Sequence, residues 1–245
     1  MRVNIFFFFL VINCFSQTIY NNQINVSYKV IPNAIEIQNI EKDLKSKSNN
    51  ETNINIINQM TAAYVDVERL VKFKLLYNQN QSVFYREDLM LTDDIKGTKK
   101  IFLDNFHSYF FYVDIANEES YRVTSFRGIN YLVLQNKIEW EITTEEKIIN
   151  DFVCLKANGF NKIQNKNFSV WFSPQIPFNI GPDMCYDLPG LVLEYNLITY
   201  SIVCDKVEFN LTEENLKKII KPKGEVISQE NFDELIRKAR NSFKN

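Results

Sequence analysis

The sequence predicts a mainly β protein with flanking helices, an α+β fold built on a single antiparallel sheet. Two patterns carry that expectation. Apolar and polar residues alternate through the middle of the chain: Val71, Phe73, Leu75 and Tyr77 against Lys72 and Lys74, then Tyr109, Phe111, Val113 and Ile115. The same alternation returns at Ile138, Trp140 and Ile142 against Glu139 and Glu141, at Phe168, Val170 and Phe172, and at Val203, Val207 and Phe209. A period of two places one side of each strand on a core and the other nearer water, the antiparallel habit. Helical spacing, by contrast, lies mostly toward the two ends.

In chain order, Arg2 is the one charge before Lys29, and an apolar run from Ile5 to Ile12 follows it. A cation, a short apolar run and small residues predict a secretory signal over residues 1–16, cut before Gln17. The run is about half of the roughly 20 residues a bilayer span needs. A buried first strand and a lipoprotein acylated at Cys14 are the alternatives. Residues 17–245 then form a single β-rich domain. Helices are expected over 34–48, through Ile37, Ile40 and Leu44, and over 53–66, through Ile57, Met60 and Tyr64. Asn78-Gln79-Asn80 and Arg127-Gly128 read as hairpin turns, and Asn158-Gly159 as a type I′ dipeptide. Asn210 with Glu213 predicts the cap of a helix over 211–220 that Pro222 stops, and Ser228 the start of a last helix through Phe232, Leu235, Ile236 and Ala239.

Composition excludes more functions than it suggests. The 28 Lys+Arg against 30 Asp+Glu leave a net charge of −2, without the basic excess of a nucleic-acid binder. Six glycines, never two or five apart, supply neither a dinucleotide fingerprint nor a P-loop. The single His107 rules out a two-histidine zinc protease motif, and no Cys-x-x-Cys is present. No cofactor, metal or catalytic residue is assigned. Two weak catalytic constellations stand as an alternative hydrolase: Cys185 with His107, and the loop carboxylates Asp183, Asp187 and Glu194. Export leaves Cys154, Cys185 and Cys204 in an oxidising compartment. If 152–157 and 200–209 are strands, Cys154 and Cys204 lie on Lys-bearing, partly wet faces and are the candidate disulfide, although Cys185 could pair with either, or all three could be buried thiols.

Residues 173–190 read as a long loop between two strands, stiffened by Pro174, Pro177 and Pro182 and turning at Pro189-Gly190 in type II geometry. It is either a rigid crossover capping the sheet or a functional loop. The rings of Tyr109 to Tyr112 fall on both faces of one strand. Such a strand is covered on both faces, by a packed helix for instance, or open to a ligand.

The segment Trp140-Glu141-Ile142, Glu146 to Ile149, Phe152 to Ala157, Val170-Trp171-Phe172, Ile176-Pro177, Gly181-Pro182 and Asp187-Leu188-Pro189-Gly190-Leu191-Val192 resembles the GLPGLI family of secreted proteins from Gram-negative envelopes. The name-giving hexapeptide has Asp187 for its first Gly and Val192 for its last Ile. Phe73 to Tyr77 with Ser82-Val83-Phe84 is similar to the family's early strand pair. The resemblance implies an exported protein of the periplasm, the outer-membrane periphery or the medium, without established activity. The strand order is also similar, at the level of fold, to the curved half-barrels of lipoprotein carriers, so the expected sheet is curved, or a half-barrel. The absence of catalytic templates favours a non-enzymatic binding protein for an apolar ligand or partner polypeptide. A structural accessory of an outer-membrane receptor is the third reading. Membrane association is expected to be peripheral at most. The candidate binding residues are Trp171, Asp183, Asp187, Pro189, Gly190 and Leu191.

Overall fold

The computed structural model describes residues 22–48, 50–89, 99–100, 103, 110–161 and 166–242. The signal segment, His107 and Tyr109 lie outside them. The strands are β1 (Gln23–Pro32), β2 (Lys72–Asn78), β3 (Gln81–Arg86), β4 (Phe110–Asp114), β5 (Glu119–Phe126), β6 (Ile129–Leu134), β7 (Glu139–Ile149), β8 (Phe152–Asn161), β9 (Lys166–Ser173), β10 (Leu191–Asn196), β11 (Tyr200–Glu208) and β12 (Glu225–Ile227). The helices are α1 (Ala34–Ser46), α2 (Glu51–Leu70), α3 (Glu213–Lys218) and α4 (Gln229–Ser242). All strands belong to one open sheet in the order β12-β6-β5-β4-β3-β2-β1-β11-β10-β9-β8-β7. Every pairing is antiparallel except that of β12 with β6. The expected mainly β, α+β architecture is what the chain forms.

Connectivity forces this sheet to curl. β6 and β7 lie ten places apart in the order. In a flat sheet at about 4.8 Å per strand that gap is roughly 48 Å. Residues 135–138 alone join the two strands, a reach of about 18 Å for an extended chain. The two ends of the sheet therefore approach one another, and one face becomes an interior. That face carries Ile24, Val26, Tyr28 and Val30 of β1, Phe73, Leu75 and Tyr77 of β2, Phe84, Phe111, Val170, Phe172 and Ile202, all buried in one core.

Besides α2, which packs beside β1, three pieces cover the sheet. The 174–190 excursion fills the interior with Ile176, Phe178, Ile180, Met184, Cys185 and Leu188. Burying a side chain of that size stabilises by roughly 1.5–3 kcal/mol. On the outer face, Leu211 and Ile219, flanking α3, close over Leu76, Val83, Tyr112, Tyr121 and Leu132. Helix α4 packs Phe232, Leu235 and Ile236 on Tyr131 and Val133. The ring-rich strand β4 is thus covered on both faces, by the excursion's core over Phe111 and by the α3 segment over Tyr112. The open-face alternative for that strand is corrected.

The hairpin turns at Gln79-Asn80 and Arg127-Gly128 form as expected, with positive φ at both central residues of each. Ser228 caps α4, its hydroxyl accepting from Asn231 N–H. Three expectations change. The cap of α3 is Thr212, which accepts from Asn215 N–H, and the helix ends at Lys218, before Pro222. The β7–β8 turn is Asn150-Asp151, with φ of 48° and 66°. Asn158-Gly159 instead lies within β8, where a Cβ on Gly159 would stand 2.7 Å from both the Phe168 and Trp140 rings. The glycine is there for close approach of two aromatics, not for a turn.

Cys154 and Cys204 are also not on a wet face; both are buried and, like Cys185, free thiols. In the β1–β11 ladder Ser27 faces Lys206 and Tyr28 faces Cys204, so Asp205 is bulged out and the alternation flips, turning Cys204 inward. The Asn150 amide donates to the Cys204 carbonyl at 2.9 Å, which draws the β7–β8 turn down beside it.

Substituting Gly159→Ala should push the Phe168 and Trp140 rings apart and cost about 1–3 kcal/mol. The expected outcome is a Tm lower by roughly 3–10 °C with an altered near-UV circular dichroism signal; an unchanged Tm would show that the rings yield freely.

Candidate functional site

The excursion leaves β9 and returns into its neighbour β10, pairing Ser173 with Leu191. Between them the backbone folds through tight three-residue turns: Phe178 N–H donates to the Ile176 carbonyl, Ile180 to Phe178, Tyr186 to Met184 and Gly190 to Leu188. The Pro189-Gly190 pair is therefore a γ-turn about Pro189, and the type II expectation is corrected. Leu191 N–H, which a type II turn would send to Leu188, donates to the Ile176 carbonyl at 3.0 Å. Gly190 passes so close to β9 that a Cβ would lie 2.2 Å from the Ser173 carbonyl oxygen. Gly181 is equally crowded, by Val192 at 2.4 Å. The Leu-Pro-Gly-Leu run is thus a packing device: Leu188 and Leu191 are buried, Gly190 permits the crossing, and Pro189 is the exposed tip.

Groups from across the sheet hold the excursion. The Tyr28 hydroxyl donates to the Val192 carbonyl at 2.7 Å. Trp140 Nε1–H donates to the Tyr186 carbonyl at 2.9 Å. Tyr77 meets Phe178 edge-on at 5.3 Å between centroids. Lys137 Nζ pairs with Asp187 at 2.5 Å. Asp187 has φ 69°, in the left-handed region, which aspartate tolerates better than most residues.

Beside this plug lies a cleft of about 370 Å³. Its apolar wall is Ile40 of α1, Phe168 of β9, and Leu197, Ile198 and Tyr200 of the β10–β11 turn. Asn161, Asn167, Thr199, Tyr195 and Asp183 supply its polar atoms. The helices brace the rim: Asn33 N–H donates to the Thr199 carbonyl at 2.6 Å, and the Tyr64 and Thr199 hydroxyls share a bond at 2.8 Å. Phe168 stands edge-on between Trp140 (5.6 Å) and Tyr195 (5.3 Å), so the rings form a row ending at the tyrosine that faces Asp183.

Asp183 sits at the inner end, itself at φ 58°. Asp183 lines the cleft and is half-buried, with protein packed densely around its carboxyl. Burial pushes its pKa from 3.8 up to about 6, against the opposing effects of the Tyr195 hydroxyl, the Arg122 guanidinium and the Met184 N–H. The Tyr195 hydroxyl donates to it across 3.4 Å. Next to it, Cys185 is buried, and burial followed by the Asp183 charge raises its thiol well above the ordinary value. Burial likewise lifts the Cys154 thiol to about 11 and that of Cys204 to about 12. A nucleophilic thiol needs the opposite shift.

The candidate carboxylates do not converge. Asp183 faces the cleft and Asp187 is held by Lys137. Glu194 turns to the other face, where Lys147 Nζ pairs with it at 2.7 Å. Among the described residues no three His, Cys, Asp or Glu side chains are grouped to hold a metal ion. Trp171 lies on that other face with Lys147 Nζ 4.4 Å above its ring. Lys156, 5.9 Å from the same ring, pairs with Glu145. Of the six candidate binding residues, Asp183 alone lines the cleft. Phe168, Tyr195, Asn161, Asn167 and Thr199 were not singled out by sequence; the alternation over 168–172 marked Phe168 for a strand, not for a site.

No protein-family model matches the chain, and no curated protein matches it. Among solved structures it is similar to PNGF-II in a C2 crystal form, with a TM-score of 0.53 and 12% identity, and in a P21 form, with 0.51 and 13%. Each covers 89% of this chain, but 33% and 34% of PNGF-II. The likeness is one of fold, and this chain spans about a third of the PNGF-II length.

Two outcomes follow for the acids. Asp187→Ala should cost about 1 kcal/mol, because alanine tolerates positive φ less well, whereas Asp187→Gly should fall within about 0.5 kcal/mol of wild type as relief of φ offsets the lost, partly exposed ion pair; urea unfolding midpoints measure both. For Asp183 the folded state holds its proton more tightly than the unfolded chain. The penalty for ionising it is absent below pH 3.8 and complete above about 6. Relative to Asp183→Asn, wild type should therefore lose on the order of 1–2 kcal/mol as pH rises from 4 to 7, after discounting for partial exposure. A pH-independent difference would refute the buried carboxyl.

Proposed function

We propose that this chain is an exported, GLPGLI-like binding protein of the cell envelope, and that its cleft takes a small, largely apolar ligand. The cleft carries the reading: about 370 Å³, within the range of small-molecule sites, with apolar walls and a few convergent polar groups. The filled interior argues against an acyl chain threaded through the curl, since Ile176, Phe178, Ile180 and Leu188 occupy that space. The divergent carboxylates and the unactivated Cys185 weigh against the hydrolase reading. No helix among the described residues is long and apolar enough to cross a membrane.

The test is native mass spectrometry of protein taken from the envelope fraction under gentle conditions. Wild type should carry a small molecule that Ile198→Glu, a change at an exposed rim position, reduces by about tenfold or more in occupancy. Equal occupancy in the two, or clean protein throughout, would rule this function out.

A further inference from the structure

The chemistry at the inner end of the cleft narrows the ligand class; this step rests on the cleft being a binding site. A site for a neutral hydrocarbon or a fatty acid would end in apolar or cationic side chains. This one ends in a carboxyl. Among the described residues lining the cleft there is no Lys, Arg or His. The charged and titratable groups facing Asp183 are the Tyr195 hydroxyl from β10, the Cys185 thiol from the excursion itself, and Arg122 from β5 at longer range. The guanidinium of Arg122 lies 5.5 Å over the Phe232 ring and donates to the Gln229 side chain at 3.3 Å, which directs it toward α4. The Tyr195 hydroxyl at 3.4 Å is well beyond the roughly 2.7–2.8 Å of a strong O–H···O bond, so the carboxylate keeps accepting capacity.

We propose that the cleft selects ligands bearing a protonated amine on an apolar body, the ammonium pairing with Asp183 and the body lying along Phe168, Leu197 and Ile198. A carboxylate or phosphate head would meet a like charge where little water screens it. An alcohol would replace water at the carboxylate with a hydrogen bond of the same kind, at little net gain. An ammonium adds to its hydrogen bond the attraction of opposite charges, weakly screened at a desolvated carboxylate. The ring row ending at Tyr195 adds an electron-rich surface within reach of the same cation.

The experiment is calorimetric titration of the full chain at pH 7.5 with three probes of one body: n-hexylammonium, n-hexanol and hexanoate. The expected order is ammonium about tenfold or more tighter than hexanol, with hexanoate weakest, and Asp183→Asn should bring ammonium and hexanol to within about threefold. The variant should fold at least as well as wild type, since it removes a charge that burial disfavours. Hexanol binding as tightly as the ammonium, or an ammonium preference that survives Asp183→Asn, overturns the amine selectivity and leaves the cleft reading standing. Failure of all three probes to bind wild type overturns both.

Discussion

A four-residue connection governs this molecule. Because residues 135–138 tie β6, near one edge of the sheet, to β7, at the other, the sheet has to bend until its ends meet across the interior. Bending creates a concave apolar face, and burial of that face supplies most of the packing. It also creates a volume that must be filled, because an empty apolar interior forfeits both transfer and dispersion energy. The chain fills it from within, using the 174–190 excursion rather than a helix or a bound molecule. The resemblance motif belongs to that device. Gly190 crosses β9, Leu188 and Leu191 anchor on either side, and the Lys137–Asp187 pair sits where the link passes the plug.

Plugging the curl has a chemical corollary. With the centre occupied, the cleft beside the plug lies where β9, the β10–β11 turn and α1 meet, and the plug delivers one carboxyl to it. The same tight folding that buries Cys185 also buries Asp183, and opposite consequences follow. A thiol in such surroundings loses nucleophilicity, whereas a carboxyl becomes a poorly solvated acceptor facing the cleft. The outer face behaves differently: there Trp171, Lys147, Lys156, Glu145 and Glu194 satisfy one another, a mutually neutralised surface.

Much of the strand content was legible because alternation is local. The runs at 71–77, 138–142 and 168–172 each carry their own face assignment, and the turns at 79–80 and 127–128 announce themselves. What failed was non-local. β1 is an exception, missed although Ile24, Val26, Tyr28 and Val30 alternate with Asn25, Ser27 and Lys29 as cleanly as any other run; it is the strand between β2 and β11. Asn158-Gly159 looked like a turn because the dipeptide cannot reveal the two rings converging on it. Cys204 was placed on the wrong face by a single bulged residue, Asp205. In the candidate site, Asp183 stood out only as one loop acid among three, since neither its desolvation nor its distance from Asp187 and Glu194 can be read from spacing. The rest of the cleft draws on residues from 40 to 200, assembled only by the curl.

The position of β1 also bears on how the chain acquires its shape. It comes first in chain order among the described strands, yet one of its two neighbours is β11, so that Asn25 waits for Glu208 and Val30 for Ile202. Contacts of such sequence separation are entropically late and slow. Until β11 has emerged, the middle of the sheet lacks a flank and the plug lacks a wall. A nascent chain in that condition stays pliant until its two distant strands can meet.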